Sequence, residues 1–251
     1  MKRSAVLGTE IDRISLTGAA EGALALMAQR RGAYVVTPNT EIVLAAKRDS
    51  ELRAALDAAA LSLCDGVGVL IASRILGDPI GERITGIDFA SALLSRMAGS
   101  AKSVFLLGAR EGVAARAANA LQRAYPGLVI AGTGNGYFDA KDEDALLGRI
   151  NALSPDLLLV CLGSPKQEKW MHRCAPRLKV GLMAGLGGAL DVFSGDVKRA
   201  PPLWRRYGLE WLYRLLRQPE RLKRDLALPR IVFSALRDRI GGKKKKWQTE
   251  N

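Results

Sequence analysis

Cysteine and histidine are scarce in this chain of 251 residues, which contains three cysteines and one histidine. Three cysteines are too few for a disulfide framework, and an odd number would leave one of them unpaired. Each cysteine also lies among apolar neighbours. We therefore predict that Cys64, Cys161 and Cys174 are reduced, buried thiols. Nowhere in the sequence do Cys, His and carboxylate residues cluster with the spacing of metal ligands, so neither a metal site nor a cofactor is expected.

Long apolar stretches are missing as well. No run of about 18 uncharged apolar residues occurs, which argues against a helix that crosses a membrane. The first 12 residues contain no apolar stretch of the length found in signal peptides. We expect a cytoplasmic protein, or one attached peripherally to the inner face of the plasma membrane.

Acidic residues do not balance the basic ones at the carboxyl end of the chain, where Lys and Arg are concentrated. The formal net charge is +13, and residues 198–251 contain 16 Lys or Arg against 5 Asp or Glu. The preceding residues contain 22 against 20 and are nearly neutral. A neutral body with a strongly basic tail indicates an anionic partner for the tail, such as a membrane surface or a nucleic acid.

Short β-branched runs alternate with longer helical patterns between about residues 15 and 190. The strand candidates are 33–36, 61–64, 104–107, 128–132, 157–162 and 180–184, and the helix candidates are 19–30, 41–47, 87–97, 112–124 and 142–153. This alternation predicts an α/β fold of the Rossmann-like class, in which helices cover both faces of a mostly parallel sheet.

The pattern changes after Phe193, which predicts an α/β domain over 1–197 and a helical appendage over 198–251. In the appendage, apolar residues recur at helical spacing between basic ones; the first such stripe comprises Trp204, Tyr207, Trp211 and Leu215. Basic amphipathic helices with Trp on the apolar face are typical of helices that lie on an anionic membrane. Packing of the stripe against the body is an equally good interpretation.

Small, polar or acidic residues come directly after each of the six predicted strands. They are Thr37 and Asn39, then Asp65, then Gly108, then Gly134, Gly136 and Tyr137, then Gly163, Ser164 and Gln167, and finally Gly187 and Gly188. Ligands of open parallel sheets bind outside the carboxyl ends of the strands, so a binding edge is favoured over simple turns. The glycine-rich loops suit a phosphate, although no Walker A motif occurs and residues 132–136 are only a fragment of the dinucleotide fingerprint.

Asp65 is the strongest candidate for a catalytic carboxylate. It ends an apolar run and precedes a glycine-rich one, so partial desolvation should raise its pKa towards values useful for a general base. An N-cap of the following helix explains the same residue equally well.

Two other groups of residues invite a catalytic interpretation that we do not favour. Asp142 and Asp144 match the Asp-x-Asp signature of metal-dependent sugar transferases, but their place at the start of a helix favours capping and pairing with the helix dipole. His172 is the single histidine, and a lone helical histidine is more often structural than catalytic.

Several segments together resemble the WecG/TagA/CpsF family of bacterial glycosyltransferases. They are Val36-Thr-Pro-Asn-Thr-Glu, Cys64-Asp-Gly-Val-Gly-Val, Arg83-Ile-Thr-Gly-Ile-Asp, Gly132-Thr-Gly-Asn-Gly-Tyr-Phe, Val160-Cys-Leu-Gly-Ser-Pro-Lys-Gln-Glu-Lys-Trp, Gly187-Gly-Ala-Leu-Asp-Val-Phe-Ser-Gly and the tail segment Gly208-Leu-Glu-Trp-Leu-Tyr-Arg. The resemblance spans about residues 10–225. It implies an inverting, metal-independent enzyme that moves a sugar from a UDP-sugar, such as UDP-N-acetylmannosamine or its uronic acid, to an undecaprenyl-diphosphate-linked sugar in cell-surface polysaccharide biosynthesis.

The resemblance also implies roles for individual residues. Asp65 would be the general base, with Thr37, Asn39, Arg83 and Gln167 completing the catalytic pocket. The expected substrate-binding residues are Gly134, Gly136, Tyr137, Gly163, Ser164, Gly187, Gly188 and Asp191. The appendage would meet the membrane, and its Arg214, Arg221 and Arg224 would contact the diphosphate.

Two alternative functions remain open. The basic tail would also suit a nucleic-acid-binding protein, which is the weaker choice because the charge lies on helices with an apolar stripe and the body is neutral. A nucleotide-regulated interaction protein without catalysis is the other. The expected partners are thus the UDP-sugar, the lipid-linked acceptor and an anionic membrane, with homo-oligomerisation possible and nucleic acid not expected.

Overall fold

The computed structural model describes residues 2–30 and 32–201, the positions 203, 204, 207, 210, 212 and 213, and residues 227–249; at 140 and 242–249 only the backbone is described. The strands are β1 (Arg3–Val6), β2 (Thr9–Asp12), β3 (Ala33–Val36), β4 (Leu61–Ser62), β5 (Ser103–Gly108), β6 (Val129–Gly134), β7 (Leu157–Cys161) and β8 (Leu182–Gly185). The helices are α1 (Leu16–Gln29), α2 (Thr40–Ala46), α3 (Ser50–Asp57), α4 (Val67–Leu76), α5 (Gly86–Met97), α6 (Val113–Ala124), α7 (Ala140–Leu153), α8 (Lys166–Cys174), α9 (Ala189–Phe193) and α10 (Ala227–Thr249).

Six of the strands form one sheet in the order β4-β3-β8-β7-β5-β6, and every neighbouring pair is parallel. Successive side chains of a strand point to opposite faces, so a strand covered on both faces is apolar throughout. In β7, for example, Leu157 and Leu159 join the core on one face, whereas Leu158 and Val160 join the core on the other. The predicted α/β class is therefore confirmed.

Helices cover both faces of this sheet. On one face α1, α5, α6 and α9 pack around a core that includes Phe89, Leu93 and Leu190, and on the other α2, α3, α7 and α8 pack around Leu52, Ile150 and Trp170. The three cysteines are free and buried, as predicted. Burial raises the pKa of the Cys64 and Cys161 thiols to about 12, which leaves them unreactive near neutral pH.

The sequence prediction missed an amino-terminal hairpin. Strands β1 and β2 pair in antiparallel register through a turn in which Leu7 and Gly8 both adopt positive φ angles. Each strand has only four residues and carries polar side chains, so neither gave an apolar signal. Buried Asp12 ties the hairpin to the large sheet, since its Oδ1 accepts from Arg3 and its Oδ2 accepts from the Ser62 N–H at 2.8 Å.

All six predicted strands of the large sheet are present, although β4 shortens to two residues and β6 runs on to Gly134. Helices α3 and α9 were not predicted. A helix after Asp65 and a helix around His172 were expected without bounds, and they are α4 and α8. In α4, Gly66 and Gly68 in the first turn weaken the helical pattern. A Cβ atom at position 68 would lie 2.8 Å from Leu228 Cδ1, so glycine here permits α10 to pack closely on α4.

Helix α10 packs on the body by one side only. Ile231 and Ala235 are fully buried against α4 and the hairpin, whereas Phe233, Leu236 and Ile240 are exposed. The apolar residues of α10 therefore lie on two faces, one of which packs on the body while the other is exposed.

The stripe predicted before α10 is described only in part. Tyr207 is exposed and Trp204 contacts the Tyr213 ring, while Trp211 and Leu215 lie outside the described residues. In the part of the chain that the structure describes, no helix combines the length and the apolar character needed to cross a membrane.

Candidate active site

A cavity of about 370 Å³ opens at the carboxyl ends of β3, β4, β7 and β8. It is lined by the loops after these strands and by the first residues of α4, α5, α8 and α10. Nine of the residues predicted for the site line it: Thr37, Asn39, Asp65, Arg83, Gly163, Ser164, Gln167, Gly187 and Gly188. These residues, which follow different strands in the sequence, therefore border one depression at the carboxyl edge of the sheet.

Asp65 is half-buried and lies in the loop after β4, where its backbone N–H donates to Pro38 O at 3.2 Å. The N-cap of α4 is Gly66, so the alternative in which Asp65 caps this helix is wrong. The carboxylate faces the cavity beside an α4 amino terminus that carries no side-chain cap. Asp65 thus lies at the cavity next to the first turn of α4, whose N–H groups favour an anion nearby.

Thr37 and Asn39 hold the loop after β3. The Thr37 hydroxyl donates to Gly185 O at 3.0 Å and so joins the ends of β3 and β8. The Asn39 side-chain carbonyl caps α2 by accepting from the N–H groups of Glu41 and Ile42. Because the amide oxygen of Asn39 is committed to the cap, its Nδ2 group is the end that can donate into the cavity.

Arg83 and Glu210 bring the tail to the wall of the cavity. The Arg83 guanidinium lies 3.8 Å from the Glu210 carboxylate, whose second oxygen is 3.9 Å from Arg199. Arg199 also contacts Asp88 at 2.7 Å, and Asp88 accepts from the Thr85 hydroxyl. The network thus attaches the tail to the start of α5. We predicted only Arg83 of these residues; the signal for Thr85, Asp88 and Glu210 was their place inside the family-like segments.

Gln167 and Glu168 form a buried pair at the start of α8. The Gln167 Nε2 group donates to Glu168 Oε1 at 2.8 Å, and Gln167 Oε1 accepts from the Gly187 N–H at 2.9 Å. Glu168 is completely buried, and its Oε2 has no hydrogen-bond partner among the described residues. Burial raises the pKa of Glu168, and the hydrogen bond from Gln167 opposes this rise only in part. We did not predict a role for Glu168.

Replacing Glu168 with glutamine is expected to flatten the pH dependence of stability. The folded chain holds the Glu168 proton more tightly than the unfolded chain, in which the pKa is near its ordinary value of 4.5. The stability that this group provides is complete below that value and is lost as the pH rises through the raised pKa, by up to about 1.4 kcal/mol per pH unit. Urea unfolding of both proteins between about pH 5 and pH 8 measures the difference. Parallel profiles would contradict the expectation.

Comparison with known proteins decides the family. The model of the glycosyl transferase WecG/TagA/CpsF family matches residues 4–245. The chain belongs to this family. The resemblance drawn from the sequence segments is thereby confirmed, and the protein is a glycosyltransferase.

Two relatives of this glycosyltransferase carry the same name, N-acetylglucosaminyldiphosphoundecaprenol N-acetyl-beta-D-mannosaminyltransferase. The one from Bacillus spizizenii is 40% identical over 209 residues, which cover 83% of this chain and 80% of the relative. The one from Bacillus subtilis is 37% identical over 210 residues, which cover 84% of this chain and 81% of the relative.

Four predicted substrate-binding residues of the glycosyltransferase are not among the residues that line the cavity: Gly134, Gly136, Tyr137 and Asp191. Two of them lie close to it, since Lys166 in α8 donates to Gly136 O at 3.1 Å and Asp191 Oδ2 is 3.6 Å from the place of a Cβ at Gly188. Tyr137 is 75% exposed. The predicted diphosphate ligands Arg214, Arg221 and Arg224 lie outside the described residues.

The Asp-x-Asp match lies away from the cavity. Asp139 caps α7, Glu143 accepts from the Trp170 and Arg173 side chains, and Asp144 pairs with Arg177 at 2.5 Å. These carboxylates stabilise the start of α7, as expected, although the capping itself falls to Asp139. His172 contacts the Tyr34 hydroxyl at 3.1 Å, in keeping with a structural role. In 2–30, 32–201 and the other described positions, no three His, Cys, Asp or Glu side chains are grouped to hold a metal.

Proposed function

We propose that this glycosyltransferase moves N-acetylmannosamine from its UDP derivative to N-acetylglucosamine carried on undecaprenyl diphosphate, a step in cell-surface polysaccharide assembly. The observation that carries the proposal is the agreement of the two relatives, whose names specify this sugar and this acceptor and which are aligned over four-fifths of their length. Neither name involves a nucleic acid, so nothing favours that alternative.

In this proposal Asp65 is the general base. Inverting transfer needs one group that removes the proton of the acceptor hydroxyl as that oxygen attacks the sugar carbon. Asp65 lines the cavity, half-buried, beside Thr37 and Asn39. A carboxylate held at a strand end in a shielded depression suits proton removal, and Asn39 would hold a sugar hydroxyl through its Nδ2 group.

The donor diphosphate would sit between backbone N–H groups and guanidinium groups. Support comes from the uncapped amino terminus of α4 and from the loops at Gly163 and Gly187, all of which border the cavity. Arg83 is on the wall, and Arg214, Arg221 and Arg224 stay proposed ligands of the departing diphosphate. Planar guanidinium groups match phosphate oxygens in pairs, which would stabilise the charge that develops on the leaving group without a metal.

The nucleoside end of the donor would extend past the cavity towards β6. Gly134, Gly136, Tyr137 and Asp191 remain the proposed residues for it, alongside Ser164 and Gly188. The exposed ring of Tyr137 can stack on a base, and a carboxylate such as Asp191 can accept from ribose hydroxyls.

The appendage would lie on the anionic inner surface of the plasma membrane. Phe233, Leu236 and Ile240 share the side of α10 that points away from the body, and Arg237 flanks them. Residues 243–246, four lysines, continue the same helix. The first turn of α10 borders the cavity at Ala227 and Leu228, so a helix lying on lipid would bring the cavity to a lipid-linked acceptor.

A panel of UDP-sugars tests the proposed reaction. The purified protein is incubated with each sugar and a short-chain lipid diphosphate that carries N-acetylglucosamine, with and without EDTA, and products are identified by mass spectrometry. We expect one added N-acetylmannosamine, undiminished by EDTA. Transfer of another sugar would reject the donor, loss of turnover in EDTA would reject the metal-independent mechanism, and no transfer from any donor would reject the function.

A further inference from the structure

The burial of Glu168 lowers the stability of the fold, and this residue lies directly behind the cavity. It is completely buried at the start of α8, one oxygen lacks a partner in the described part of the chain, and its neighbour Gln167 lines the cavity. Burial of a carboxyl group with an unsatisfied oxygen costs free energy that an apolar side chain of similar volume would not. Stability therefore gives no reason for a carboxyl group at this position, and a functional reason is needed.

The Gln167 amide has one orientation because of its two partners. Its nitrogen faces Glu168 Oε1 and its oxygen faces the Gly187 N–H. A half-turn about the last side-chain bond would place oxygen against oxygen and N–H against N–H, which would replace two attractions with two repulsions. An apolar residue at 168 would remove the nitrogen's partner and leave the amide free to turn.

The position of this amide matters for the whole wall of the cavity. Gln167 packs on Gly185, where a Cβ atom would lie 3.2 Å from Gln167 Nε2, and Thr37 donates to Gly185 O. The Gly187 N–H, which donates to Gln167, belongs to the loop after β8, and this loop also lines the cavity. A disturbance of the Gln167 amide would thus reach both the Thr37 hydroxyl and the loop at Gly187.

We propose that Glu168 is a positioning residue of the transfer reaction, which fixes the Gln167 amide and, through it, the Gly187 loop. The effect on turnover rests on the proposed function, whereas the orientation of the amide does not. Glu168 does not touch substrate in this proposal; it acts only through Gln167.

A double-mutant cycle tests this coupling. Glu168→Met keeps an unbranched side chain but removes the acceptor, and it should lower kcat by about tenfold or more, with a smaller change in KM. Glu168→Gln keeps an acceptor oxygen and should recover most of that loss. In a Gln167→Leu background, Glu168→Met should cost nothing further, because the amide it positions is gone. If the double variant loses the product of the two single-variant losses in kcat, the residues act independently and the proposal is overturned. A Glu168→Gln variant as slow as Glu168→Met would also overturn it.

A matched control removes another carboxylate that contacts α8. Glu51 pairs with Lys169 at 3.0 Å, and its side chain is 59% exposed. Glu51→Gln should leave kcat and KM unchanged. A loss equal to that of Glu168→Met would show that α8 responds to any lost contact and would reject a specific role for Glu168.

An NMR measurement keeps the test independent of turnover and of folding in the variants. In the wild type, the two Nε2 protons of Gln167 should give separate resonances that exchange slowly with water, assigned by their loss in Gln167→Leu. Glu168→Met should shift and broaden them. Averaged, fast-exchanging resonances in the wild type would overturn the proposal even if the enzyme transfers the expected sugar. Separate, slowly exchanging resonances would support a fixed Gln167 amide even if another sugar is transferred.

Discussion

Substitution of Asp65 by asparagine should lower kcat for transfer to the lipid-linked acceptor by a factor of about 10² to 10⁴, the usual contribution of a general base. Asparagine keeps the shape of the side chain and lines the same cavity, but its amide cannot accept the proton of the acceptor hydroxyl. Because Asp65 acts on the acceptor in this mechanism, the affinity for UDP should change little. Turnover is measured with the short-chain acceptor, and UDP binding by calorimetry.

The matched control for Asp65 is the double substitution Asp142→Asn and Asp144→Asn. These two aspartates form the Asp-x-Asp match at the exposed start of α7, away from the cavity, so their loss should leave kcat within about twofold of the wild type. Near-normal turnover of Asp65→Asn would reject the general base. A large loss in the control, reversed by added divalent metal, would instead favour a metal-dependent mechanism at α7.

Replacement of Phe233, Leu236 and Ile240 together by serine should weaken binding to anionic vesicles by about 10²-fold. The three side chains are 69%, 45% and 59% exposed, so their removal leaves the packing of α10 on α4 intact. Insertion of each into the lipid interface contributes roughly 1 kcal/mol, which is below the value for full burial. Co-sedimentation with vesicles of anionic and of neutral lipids at matched salt measures the effect.

The control for this variant is Leu153→Ser, which removes a body side chain of similar exposure, 45%, at the end of α7. It should bind vesicles like the wild type. The triple variant should retain turnover with the short-chain acceptor and lose it with the undecaprenyl acceptor in vesicles. Unchanged vesicle binding would reject the membrane face. A shift from oligomer to monomer on substitution would assign the apolar face to a second copy of the chain, and preference of the wild type for duplex DNA would revive the nucleic-acid alternative.

The outline of the fold was accessible from the sequence because its signal is local. Continuous apolar runs mark strands that are buried on both faces, and Leu157–Cys161 was recognised for this reason. The hairpin of β1 and β2 was missed because strands of four residues with polar side chains give no such run. The bounds of α4 were not predicted, because Gly68 in its first turn serves the approach of Leu228, a residue distant in sequence, and not the helix itself.

The residues of the site divide in the same way. Asp65, Thr37 and Gln167 were predicted because each lies shortly after a strand, and the carboxyl ends of parallel strands bring their loops together at one edge of the sheet. Glu168 lies after the same strand as Gln167 but was overlooked, because its importance rests on complete burial and on its contact with Gln167, neither of which shows in a pattern of residue types.

The sequence by itself determined the α/β class, the convergence of strand-end residues on one edge, the family resemblance and the concentration of the excess positive charge in residues 198–251. These depend on the periodicity, spacing and composition of neighbouring residues. Only the tertiary structure decided that Gly66 and not Asp65 caps α4, that Glu210 meets Arg83 at the cavity wall, and which apolar residues of α10 face the body. Each of these depends on contacts between residues far apart in the chain, and such contacts exist only once the chain has folded.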